Sequence, residues 1–120
     1  MSERKNILKE KSFLFAIRII RLFQNLTEVK KEYIMSKQLL RSGTSIGALV
    51  REAQNAESTK DFIHKLSISQ KECDESIYWL ELLKATDYLN EEEFSSLNNE
   101  ATELLKMLRS SIITSKKNNS

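Results

Sequence analysis

Proline is absent from this chain of 120 residues, glycine occurs only twice, and cysteine, histidine and tryptophan occur once each. With glycine confined to Gly43 and Gly47, the chain has few of the residues that punctuate hairpins and sandwiches, which leaves a small number of long helices. The single Cys73 excludes an intrachain disulfide. Its place between Leu66, Ile77 and Leu80 on a periodic face reads as a small buried hydrophobe in a reducing, cytoplasmic setting. The lone His64 cannot build a zinc site that needs three or four ligands, and no Glu-x-x-His pair is present to hold two irons. Neither glycine is followed by Lys-Ser or Lys-Thr, so a phosphate loop is excluded as well. The expectation is a chain with no catalytic residue, no metal and no cofactor, and therefore not an enzyme. Long apolar runs are also missing. The stretch from Phe13 to Phe23 is broken by Arg18 and Arg21, which argues against a signal peptide, a membrane span or a membrane partner.

What the chain does have is charge of both signs and helical periodicity. Nineteen Lys and Arg against 17 Asp and Glu give a formal net charge of +2, a weak signal for nucleic acid that solvated chain ends would produce equally well. Residues 1–11 are mostly polar and are expected outside the core, with Ile7 and Leu8 as anchors. Residues 12–115 are expected to form one bundle domain, and 116–120 a flexible tail. From Ser12, the positions Phe13, Ala16, Ile17, Ile20, Phe23 and Leu26 mark the seam of a first helix, widened by Phe15, Ile19 and Leu22. Thr27 is placed to cap a second helix that runs to about Ala56 with Met35, Leu39, Ser42, Ile46, Leu49, Ala53 and Ala56 along its seam. Ser58 or Thr59 caps a third helix with Phe62, Ile63, Leu66, Ser69, Cys73, Ile77, Leu80 and Leu83 inside. Asn90 and Glu93 have the spacing of a capping box before a fourth, which turns Phe94, Leu97, Ala101, Leu104, Leu108 and Ile112 inward and ends near Ser115. Four amphipathic helices joined by short turns give an all-α, up-down-up-down antiparallel four-helix bundle. The second and third helices, at about 40 Å each, are longer than the first can cover, so their apolar faces are expected to be closed by self-association.

A helical glycine costs about 1 kcal/mol relative to alanine. Gly43 and Gly47, four apart on one face, therefore read with Ser42 and Ile46 as helix-packing residues at a backbone crossing too close for a larger side chain. A local kink between two shorter helices is the other reading. The hydroxyls of Ser42, Thr44 and Ser45 are expected to bond carbonyls one turn back. If the first two helices pack side by side, Arg18, Arg21, Lys37, Arg41 and Arg51 collect on one surface and become the candidate nucleic-acid contacts. Tyr33 and Tyr78 are then placed either to stack on bases or simply to pack. Tyr78, Trp79 and Leu82 make the third helix apolar around most of its circumference and are candidate interface positions for a protein partner. His64 and the scattered carboxylates read as structural or surface groups.

The run from Leu39 to Ala48, reading Leu-Leu-Arg-Ser-Gly-Thr-Ser-Ile-Gly-Ala, continues through Glu52-Ala53-Gln54 to Asp61-Phe62-Ile63-His64-Lys65-Leu66. With Lys71-Glu72, Glu75, Tyr78-Trp79-Leu80 and Leu82-Leu83, it resembles the bacterial four-helix-bundle family associated with intervening sequences in 23S ribosomal RNA genes. That resemblance implies a compact bundle assembled as a ring-shaped homopentamer. A similar protein is the accessory subunit of the reverse transcriptase of diversity-generating retroelements, which is basic and binds nucleic acid, so RNA or DNA is implied as a partner, reached directly or by way of a protein. Where relatives commonly read Ala-Asn-Ile or Ala-Asn-Val followed by an acidic residue, this chain reads Ala48-Leu49-Val50-Arg51, and a function tied to that asparagine amide is not implied. The reading is a non-enzymatic oligomeric scaffold that binds structured RNA or DNA through a basic surface. The alternative is a protein-interaction module or accessory subunit with no direct nucleic-acid contact.

Overall fold

The computed structural model describes residues 3–118, apart from the side chains of Arg4 and Lys5. Four helices follow in order: α1 (Glu3–Glu28), α2 (Met35–Gln54), α3 (Thr59–Ala85) and α4 (Glu91–Asn118). Each packs on its sequence neighbour and α4 returns to α1, giving an antiparallel bundle of 49 × 22 × 20 Å. Among the described residues, no helix is long and apolar enough to cross a membrane.

Two of the helix starts follow from local chemistry as the spacing predicts. Ser58 Oγ accepts the Asp61 N–H at 3.0 Å, and Asp61 sets a carboxylate among the free amides of the first turn of α3. Asn90 and Glu93 form a reciprocal capping box, with bonds of 3.1 and 2.8 Å, at the start of α4. The inner stripes of both helices, from Leu66 to Leu83 and from Leu97 to Ile112, are buried.

The connection between α1 and α2 differs from the expectation. Thr27 does not cap a second helix; its hydroxyl donates back to the Phe23 carbonyl at 2.9 Å, and α1 runs on to Glu28. What starts α2 is Glu32. Its carboxylate accepts the N–H groups of Ile34 and Met35 at 3.1 Å and of Ser36 at 2.7 Å, while Ser36 Oγ donates to the Glu32 carbonyl at 2.8 Å. These amides would otherwise have no partner at a helix start. Lys31, with φ of 57°, turns the chain into position. Burial is the largest single influence on the Glu32 carboxyl and works upward. The three backbone donors and the Ser36 side chain together outweigh it and hold the group below the ordinary glutamate range.

The helix lengths correct a second expectation. α2 has 20 residues and is the shortest helix, whereas α1 has 26, so the second and third helices are not a long pair overhanging the first. α1 is long because its N-terminal turns join the core: Leu8 and Ser12 are buried, and residues 3–11 are helical. Met1 and Ser2 lie outside the described residues, as do Asn119 and Ser120 of the tail expected over 116–120; α4 continues past Ser115 to Asn118.

The seam of α1 is the third correction. Leu8, Ser12, Phe15, Ile19 and Leu26 face the core, while Phe13, Ile17 and Ile20 are 51%, 38% and 39% exposed. α1 carries two apolar stripes, and α2 decides which one turns inward. A Cβ on Gly43 would lie 2.9 Å from both Cγ atoms of Ile19, and one on Gly47 would lie 3.3 Å from the Ser12 carbonyl oxygen. The large Ile19 thus fills the space left at Gly43, and the small Ser12 lets the backbones meet at Gly47.

Candidate functional site

The groups that could carry chemistry inside the bundle are engaged in packing. Ser76 Oγ donates to Ser42 Oγ at 2.9 Å and Ser69 Oγ to the Ile46 carbonyl at 3.0 Å, so Ser42 and Ile46 meet α3 while Gly43 and Gly47 meet α1. Thr44 and Ser45 donate to the carbonyls of Leu40 and Arg41 at 2.7 and 2.6 Å. Cys73 is buried with its Sγ 3.2 Å from the Ala101 carbonyl, and burial pushes the thiol up to about 12, which keeps it protonated. His64 is exposed on α3. Among the described residues, no group of three or more His, Cys, Asp or Glu is arranged to hold a metal ion.

The five basic residues singled out from the sequence are distributed over different faces. Arg18 pairs with Glu100 across the junction of α1 and α4. Arg41 pairs with Glu72 at 3.1 Å and with Glu75 across the junction of α2 and α3, on the opposite side of the bundle. Glu75 also accepts the Trp79 indole N–H at 3.0 Å. That bond, with the Arg41 guanidinium, holds its carboxyl below the usual range, and Glu75 in turn raises the Arg41 guanidinium. Arg51 lies 5.3 Å above the Phe13 ring, Arg21 reaches Gln24 at 3.5 Å, and Lys37 is exposed. Two of the five are thus already neutralised by carboxylates of their own chain.

Two apolar surfaces remain open. The first is the outward stripe of α1, where Phe13, Ile17 and Ile20 repeat at four and three residues and Leu14 is 49% exposed beside them. It borders a cleft of about 370 Å³ between Ile17, Arg18, Arg21 and Leu22 of α1 and Glu93 and Leu97 of α4. The second lies on α3, where the exposed Tyr78 ring meets Trp79 edge-on at 5.1 Å and 66°; Trp79 and Leu82 beneath it are half-buried. The sequence reading assigned Phe13, Ile17 and Ile20 to the core. The signal that separates them from Phe15 and Ile19 is spatial, because it depends on which stripe opposes the glycines of α2.

The model of the 23S rRNA-intervening sequence protein family matches residues 4–110. The chain belongs to this family. A solved structure of a protein of unknown function from the S23 ribosomal protein family of Bacteroides thetaiotaomicron is 52% identical, covers 91% of this chain and 97% of its own, and superposes with a TM-score of 0.90. No curated protein matches the chain.

Proposed function

We propose that the protein is a non-enzymatic scaffold that works as an assembly of its own copies and binds structured RNA or DNA through basic side chains repeated around that assembly. The outward stripe of α1 carries the reading. Four large apolar side chains, Phe13, Leu14, Ile17 and Ile20, stand together in solvent on a helix whose opposite face already fills the core, and an ordered apolar patch of this kind is the usual mark of a protein interface. A ring-shaped homopentamer is the assembly that resemblance to the family implies. Such a ring requires the stripe of one copy to meet a different surface of the next, since only heterologous contacts close into an odd-numbered ring. RNA or DNA is the partner class that resemblance to the family implies.

Sedimentation velocity tests the assembly. The wild-type chain should sediment as an oligomer, and Ile17→Glu with Ile20→Glu should give a monomer with unchanged helical circular dichroism. A wild-type chain that stays monomeric at tens of micromolar would refute the proposal. A second reading, a protein-interaction module or accessory subunit with no direct nucleic-acid contact, is favoured by one observation: Tyr78 is 53% exposed against Trp79, an aromatic pair of the type enriched at binding hot spots.

A further inference from the structure

The charge of this chain is nearly balanced in total but separated along the bundle axis. Residues 16–44 and 73–104 form the end that holds the first and third connections, and they carry 7 Lys and Arg against 11 Asp and Glu. Residues 3–15, 45–72 and 105–118 form the other end, with 12 Lys and Arg against 6 Asp and Glu. The separation is sharpest in α4, where residues 105–118 include Lys106, Arg109, Lys116 and Lys117 and no carboxylate.

Helix dipoles account for part of this pattern. Glu91, Glu92 and Glu93 in the first turn of α4 and Lys116 and Lys117 in its last complement the macrodipole. Lys71, Lys106 and Arg109 lie well inside their helices, beyond the range of that effect. Arg109 is close enough to Cys73 of α3 for its charge to act on the thiol, and Cys73 is level with Ala101 across the antiparallel pair. That register brings Lys60 and Lys71 of α3 into one field with Lys106, Arg109 and Lys116 of α4, over about 20 Å at the helical rise. All five are exposed, and none of the ion pairs of the described residues includes them. By contrast Lys11, Arg18, Arg41 and Lys84 are each bound to a carboxylate. Asp74 borders the field toward the acidic end, where it acts on Cys73 from the other sign.

We infer that this α3–α4 face, with Lys60, Lys71, Lys106, Arg109 and Lys116, is the nucleic-acid contact, and that it takes the phosphate backbone of a double-helical segment and not unpaired bases. The inference rests on the nucleic-acid part of the reading above and relocates its site away from the arginines of α1 and α2. Unneutralised cations on two adjacent helices suit a run of phosphates, whose binding is driven by counterion release. Of the exposed Phe and Tyr side chains, Phe13 and Tyr33 lie on α1 and in the first connection, and Tyr78 stands two turns beyond Lys71, past the acidic border of the field. Between Lys60 and Lys71, and between Lys106 and Lys116, there is therefore no exposed Phe, Tyr or Trp for base stacking, which single-strand binders use.

The test is fluorescence anisotropy with a labelled RNA duplex of about 20 base pairs, titrated over a range of salt. The variant Lys71→Gln, Lys106→Gln, Arg109→Gln should bind about tenfold or more weakly, with the slope of log K against log salt reduced by about 3, since each lost phosphate contact removes about 0.9. Swapping the same positions as Lys71→Arg, Lys106→Arg and Arg109→Lys should retain wild-type affinity, and Arg21→Gln with Lys37→Gln should bind like the wild type. If Arg21→Gln with Lys37→Gln loses binding while the triple Gln variant does not, this site is wrong and the RNA reading stands. A wild-type chain that ignores RNA and DNA duplexes at low salt refutes both. If the triple variant changes sedimentation and leaves RNA affinity intact, the face receives the acidic end of another copy, and the inference fails.

Discussion

Replacing Glu32 with alanine leaves the amides of Ile34, Met35 and Ser36 without their acceptor, and should cost about 1–2 kcal/mol, the usual scale for losing a helix cap. The measurement is the midpoint of urea unfolding. The pH dependence has a definite sign. Because the folded carboxyl titrates below the ordinary value of 4.5, its contribution is complete above that pH and is lost as pH falls through the lower folded value. The stability gap between the wild type and Glu32→Gln should accordingly narrow below about pH 4.5, and a gap that stays constant with acidification would contradict this role. Glu32 was not legible in the sequence because a glutamate before a helix has no periodic mark, and the hydroxyl of Thr27 offered a more familiar cap. Gly43 gives the opposite case. Alanine there gains about 1 kcal/mol of helix propensity, but its Cβ meets a fully buried, β-branched Ile19 at 2.9 Å. Overpacking costs about 1–3 kcal/mol, so Gly43→Ala should be destabilising in thermal unfolding. Gly47→Ala, with its nearest contact at 3.3 Å, should be close to neutral.

At the scale of the helix, α1 separates what periodicity can and cannot decide. Phe15 is fully buried and Phe13 is half-exposed, two residues away on the same helix. Phe15→Ala should cost about 3–5 kcal/mol, and Phe13→Ala should leave the unfolding free energy of the isolated chain within about 0.5 kcal/mol. Equal losses at the two sites would mean that the seam is wrongly placed. Both stripes have helical spacing, so the sequence alone permits either to face inward. α3 and α4 were easier to bound, although Tyr78, Trp79 and Leu82 widen the apolar surface of α3 near its end. Each has one continuous inner stripe and a start fixed by Ser58 or by the Asn90–Glu93 pair, and their extents were readable to within a few residues.

For the molecule as a whole, the bundle was legible because the absence of proline and the shortage of glycine leave only long helices, and short connections allow only reversal of direction. The site was less legible, since charge becomes a surface only after the register of neighbouring helices is set. Arg18 and Arg41 belong to one cluster in the sequence reading, yet their carboxylate partners lie across opposite junctions. Lys71 and Arg109 are 38 positions apart along the chain and share one face. If copies are arranged by rotation about a common axis, each contributes its basic end on the same side, and the field of one subunit is multiplied without any change in net charge per chain.

The junction of α1 and α4 has a further consequence. It is bridged by Lys11 with Glu103 and Arg18 with Glu100 and flanked by the cleft between Ile17 and Leu97, whereas α2 meets α1 through glycine and α3 through interlocked serines. Solvated ion pairs contribute little and are screened by salt, so this is the edge at which the barrel of helices can part first. Deuterium would enter α1 and the first half of α4 before the paired centre of α2 and α3, and sooner as ionic strength rises.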